Sequence, residues 1–123
     1  MYLLDTNLII YATKPAIKTV LLPLVTDANN AISIITTIET LGFRGLTAQE
    51  NLYFRNIFKL TEVLHLTTDI AEKAIILRQA HKIHLGDAII AATALHHNRI
   101  LLTCNIADFQ YIQNLRVSNP LQL

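Results

Sequence analysis

Four carboxylates in this chain are spaced so that a fold can gather them: Asp5, Glu39, Asp87 and Asp108. Three or four carboxylates converging in one crevice repel each other, so near neutral pH they either bind protons or bind a divalent cation. The donors are oxygen only, with no Cys or His cluster at metal-ligand spacing, which favours magnesium or manganese over zinc. Such ions activate a water and steady in-line displacement at a phosphodiester. In that chemistry Asp5 and Asp87 anchor the metal, and Glu39 holds metal-bound water or acts as a base. The chain has no Gly-rich phosphate loop, no G-x-S-x-G elbow and no Cys–His signature, which weakens nucleotide-binding and acyl-transfer readings.

These positions call for particular elements. Tyr2-Leu3-Leu4 is an apolar run without alternation, the mark of a strand buried on both faces at the centre of a parallel sheet. Asp5 then sits at the carboxyl end of that strand, where open α/β sheets place their ligands. Thr6 and Asn7 are good helix N-cap types, and Leu8 to Ala12 follows as an apolar helical turn. The competing reading is that Asp5 merely caps that helix. Residues 13–30 are expected to be helical, with Pro15 in the first turn and Pro23 bending or breaking the helix.

Residues 31–36 (AISIIT) predict the second strand. Glu39 follows Thr36 by three, the spacing of a capping box, so Glu39 either caps its own helix or points into the crevice beside Asp5. Residues 47–60 predict a helix with Phe54, Ile57 and Phe58 on one stripe. Residues 62–66 predict a third strand, and Thr67 to Asp69 cap a helix running to about residue 82. His84-Leu85-Gly86-Asp87 opens a helix over 88–97 that is apolar nearly all round and therefore buried. An ionised carboxylate leading into such a helix is costly unless paired or bound to metal, although a first-turn Asp also gains from the helix dipole. Residues 99–103 (RILLT) predict the fourth strand, Asn105 and Asp108 lie in the polar loop after it, and residues 115–117 predict a weak edge strand. Of five histidines, most are expected at the surface; His84 is nearest the site and within reach of a phosphate.

Alternating strands and helices with right-handed crossovers predict an α/β fold. It is a three-layer α/β/α sandwich around a central parallel sheet of four to five strands. The 123 residues, with 52% hydrophobic and 15% charged, predict one domain over 1–123 rather than a disordered chain. A single cysteine, Cys104, excludes a disulfide framework and fits a reducing cytoplasm. No stretch has the ~20 apolar residues of a membrane span, and no signal peptide is expected. Gathering four of the nine acids leaves five against ten bases elsewhere, an acidic site on a mildly basic body that suits a polyanionic substrate. The competing reading is an ordinary solvated surface.

The opening LLDTN, the glutamate of ISIITTIET, the DAIIAATAL helix and the TCNIADF segment together resemble a PIN domain, in the length and order of VapC-type toxins of toxin–antitoxin pairs. The resemblance covers residues 2 to 109. It implies a magnesium-dependent endoribonuclease (manganese substituting), a homodimer, and inhibition by a VapB-like antitoxin. It assigns Asp5, Glu39 and Asp87 to the acidic positions, Thr6 and Asn7 to the polar positions after the first, and Thr103 to the hydroxyl after the fourth strand. At the fourth acidic position Asn105 is neutral and Cys104 stands where the family often has a basic residue, so either Asp108 supplies the charge or the site works with three acids. Two other classes compete. A receiver-like signalling domain wants paired acids after the first strand and a Lys after a late one, which this chain lacks. A PIN-like binding module that has lost catalysis is disfavoured by the intact acids.

Overall fold

The structure, a computed structural model, describes residues 1–121. Its elements are β1 (Tyr2–Leu4), α1 (Thr6–Tyr11), α2 (Pro15–Val25), β2 (Ala31–Ser33), α3 (Ile34–Leu41), α4 (Ala48–Leu60), β3 (Glu62–Leu64), α5 (Thr68–Ala80), α6 (Leu85–His96), β4 (Ile100–Leu102), a 3-10 turn (Ile106–Asp108) and β5 (Val117–Ser118). The strands form one parallel sheet in the order β3-β2-β1-β4-β5. This is the α/β sandwich expected from the sequence, with the longer of the two expected strand counts.

Alternation along three-residue strands divides the core into two layers. Leu3, Ala31 and Leu101 face α5 and α6, together with Phe109 and Ile112. Leu4, Ile32 and Leu102 face α1, α2 and α4. All seven residues from Ala88 to Ala94 are buried, so α6 is a core helix, as its uniform apolarity required. Sequence order runs outward from β1 in both directions, so the switch point of the sheet lies between β1 and β4. Asp5 and Thr103 follow those two strands there. The amide of Asp5 donates to the Leu102 carbonyl at 3.0 Å and locks the two strand ends together.

Several boundaries differ from the expectation, each for a local reason. β2 stops at Ser33, not at residue 36, because the Ser33 side chain accepts from the Ile35 amide at 3.1 Å and starts α3 inside the β-branched run. Glu39 therefore lies in the second turn of α3 and caps nothing. The capping box forms instead at Thr47 and Glu50, at 3.0 and 3.1 Å, opening α4. The N-cap of α1 is Asp5 rather than Thr6 or Asn7, although its carboxylate makes no capping bond. Pro23 does not break α2. It sits in the exposed last turn, where only the carbonyl of Thr19, also exposed, loses a donor. β3 and β4 are shorter than expected, and β5 lies at Val117–Ser118 instead of 115–117.

At the end of the sheet away from Asp5, Arg99 ties three segments together. It donates to the carbonyls of Tyr2 and Asn29 at 3.3 and 3.0 Å, and to the Glu62 carboxylate at 3.0 Å. Among the described residues no helix is long and apolar enough to cross a membrane.

Candidate active site

Asp5 is the centre of the site. Only 3% of its surface is exposed. Its Oδ2 accepts from the Thr103 hydroxyl at 2.8 Å, and that hydroxyl oxygen in turn accepts from the Asn105 amide at 3.0 Å. Asn105 thus acts through its backbone, and its side chain supplies no charge. The Asp5 carboxyl is pushed up from 3.8 to about 6, mainly by burial and further by the charges of Asp87 and Glu39. The Thr103 hydroxyl and the Thr6 amide pull the other way.

Glu39 reaches the same place from α3. The Thr6 hydroxyl donates to its Oε1 at 2.7 Å and also lies 2.9 Å from the hydroxyl of Thr36. Thr6 has one hydroxyl proton, and it is given to Glu39. The proton between the two threonines therefore comes from Thr36. Thr26, Thr37, Thr40 and Thr93 all bond back to a carbonyl three or four residues earlier. Fully buried Thr36 instead directs its hydroxyl to Thr6, one end of a chain that fixes the exposed Glu39. Thr36 had read as a cap. The signal that could have found it is the same three-residue spacing, which puts Thr36 and Glu39 on one helix face.

Asp87 is half-buried in the first turn of α6. Its carboxyl is raised by burial, then by Asp108 and Glu39, with His84 opposing. Asp108 is exposed at the end of the 3-10 turn. All four carboxylates thus lie within electrostatic reach of at least one other. Asn7 is half-buried in α1, and its side chain has no hydrogen bond among the described residues. Sequence reasoning missed Lys82 and Tyr111, which line a cleft of about 170 Å³ with His84, Asp87 and Asp108.

Among the described residues, no three acids, imidazoles or thiols stand close enough to form a ready-made metal cage. The donor chemistry nevertheless fits a hard divalent cation: oxygens only, and carboxyls whose charges already burden each other. Gly86 contributes room. A Cβ there would stand 2.7 Å from Glu39 Oε2.

The raised carboxyl of Asp5 has a stability consequence. Between pH 3.8 and about 6 the folded protein holds a proton that the unfolded chain has released, so stability falls as pH rises through that window. The span is worth about 3 kcal/mol. In chelator, Asp5→Asn should therefore gain on the wild type by up to about 3 kcal/mol from pH 4 to pH 7, measured by urea unfolding. A constant difference across that range would refute the account.

Comparison with known proteins gives a family and a set of similar folds. The family model described as PIN domain matches residues 2–113. A chain of the toxin–antitoxin complex from Klebsiella pneumoniae is 32% identical over the whole of both chains, with a TM-score of 0.75. A chain of VapBC-1 from nontypeable Haemophilus influenzae is 27% identical over 97% of each, with a TM-score of 0.74. A chain of VapBC2 from Rickettsia felis, solved bound to a DNA fragment from their promoter, is 25% identical over 96% of this chain and 97% of its own, with a TM-score of 0.79. No curated protein matches the sequence. With the acids of LLDTN, ISIITTIET and DAIIAATAL drawn to one switch point and residues 2–113 matched, the chain belongs to the PIN domain family.

Proposed function

We propose that this protein is a magnesium-dependent endoribonuclease of VapC type, the toxin of a toxin–antitoxin pair, with manganese able to substitute. The observation that carries the reading is the buried Asp5 carboxylate, crowded by the charges of Asp87 and Glu39 where the strand order reverses. Stable retention of that repulsion makes sense when a cation is to be bound.

Asp5 and Asp87 would hold the divalent ion, which supplies a lowered pKa for water and charge relief at the phosphodiester. Asp5 is kept in place by Thr103 and by its own amide on β4. Glu39 has Oε1 tied to Thr6, and its second oxygen lies toward Gly86. That second oxygen is the acceptor for a proton from the attacking water. Asp108 adds a fourth carboxylate facing Asp87.

A protein partner of VapB type has support in an apolar hollow of about 220 Å³ beside Glu39, lined by Ile10, Phe43 and Phe54, with Phe43 two-thirds exposed. A homodimer has support on another face, where Leu66, Ile75 and Leu85 are exposed together around α5 and α6. Both partners belong to the proposal, as does a cytoplasmic location. The receiver-like alternative falls with family membership. The binding-only alternative is disfavoured by the presence of all four carboxylates and of the hydroxyls that hold two of them.

Purified protein incubated with total cellular RNA should yield discrete fragments with magnesium and none with chelator. Asp5→Asn and Asp87→Asn should each lower cleavage at least a hundredfold. Metal-independent cleavage, or full activity in both variants, would contradict the reading. Gly86→Ala separates site from scaffold. The helix should gain up to about 1 kcal/mol, while the new Cβ displaces the Glu39 carboxylate and cleavage falls. Unchanged cleavage in that variant would remove Glu39 from the chemistry.

A further inference from the structure

Two hollows flank the carboxylates, and they differ in character. The one beside Glu39 is lined by Ile10, Phe43, Leu46 and Phe54 with the acids Glu39 and Glu50, and no cation. It repels a polyanion. The other begins at Asp87 and Asp108 and adds Lys82, His84 and Tyr111. Of the two hollows, it is the one in which a phosphate chain leaving the site meets a lysine, Lys82, beside those two carboxylates.

Tyr111 is placed there by packing. Its turn is anchored in the core by Phe109 and Ile112, which are 1% and 3% exposed, while Tyr111 itself is 43% exposed. His81 restrains the ring from one side, with centroids 4.8 Å apart and planes at 61°. A restrained, exposed aromatic in one cleft with a lysine and a histidine is a stacking platform for a nucleobase. Bases within a duplex keep their faces covered by their neighbours, so such a platform selects an unpaired nucleotide.

We propose that this cleft is a subsite for one unpaired nucleotide next to the phosphate that is cut, with Tyr111 stacking on the base and Lys82 and His84 holding its backbone phosphate. The subsite rests on the nuclease reading above. It gives the site a polarity: the substrate strand runs over α6 and the turn after β4, and leaves the apolar hollow by α1 and α4 free.

The test is the affinity of the full chain for a fluorescein-labelled single-stranded oligoadenylate in chelator, where nothing is cut. Tyr111→Ala should weaken binding about tenfold, and Tyr111→Phe should keep wild-type affinity. Lys82→Ala should weaken binding and flatten the slope of log affinity against log salt by about 0.7. Arg55→Ala removes a charge from α4, outside the cleft, and should change neither. Melting curves check that each variant is folded, and Tyr111→Phe with Lys82→Ala carries the test if Tyr111→Ala is not. Wild-type affinity in both Tyr111→Ala and Lys82→Ala would overturn the subsite, as would a wild-type protein that cuts RNA in magnesium but does not bind the probe. A protein that neither binds nor cuts would instead overturn the nuclease reading, and the subsite with it.

Discussion

A carboxylate that is almost fully buried has to be surrounded by groups that tolerate its charge or its proton. Asp5 is such a group, and the architecture around it follows from that requirement. Its amide is consumed by β4, its Oδ2 by the Thr103 hydroxyl, and the Thr103 oxygen by the amide of Asn105. Two neighbouring strand ends are thereby joined through one side chain. The acids that crowd it, Asp87 and Glu39, come from α6 and α3, and Glu39 is fixed by the Thr6 hydroxyl. Buried hydroxyl contacts thus hold like charges near each other. That is an arrangement for a function, since a scaffold alone would place apolar groups there.

The hydroxyls do the positioning. Thr103 holds Asp5, and Thr36 acts through Thr6 on Glu39. Short, buried and β-branched, these side chains have few rotamers to lose, so they orient the carboxylates at small entropic cost. The exposed carboxylate of Glu39 would otherwise move freely on a long side chain. The surroundings then differ from side to side. Apolar and acidic surface lies toward α1 and α4, while Lys82 and the aromatic Tyr111 stand with Asp87 and Asp108 toward α6 and the turn after β4.

Much of this was legible in the chain. Short unalternating runs such as Tyr2-Leu3-Leu4 and Ile100-Leu101-Leu102 read as central strands, and an acid after the first then falls at the sheet's carboxyl edge. The uniform apolarity of α6 fixed its burial and with it the depth of Asp87. What was illegible depends on competition between local signals or on tertiary proximity. The run AISIIT reads as strand by β-propensity, yet one hydroxyl of Ser33 turns its second half into helix. That error also hid Thr36, which on a strand would not share a face with Glu39. Lys82 and Tyr111 carry no sequence signal. They are ordinary surface types separated by 29 positions, and only the packing of Phe109 and Ile112 brings their turn against α6.

The central claim is that Asp5 and its neighbours are held in repulsion that a divalent cation relieves. The most direct measurement is calorimetric binding of magnesium or manganese in buffers of differing ionisation enthalpy, which counts protons released on binding. With the Asp5 carboxyl at about 6, binding at pH 6 should release about half a proton from that group, and at pH 8 almost none. Binding at pH 6 without proton release would contradict the account of Asp5. No binding of either ion at millimolar concentration would contradict the site itself.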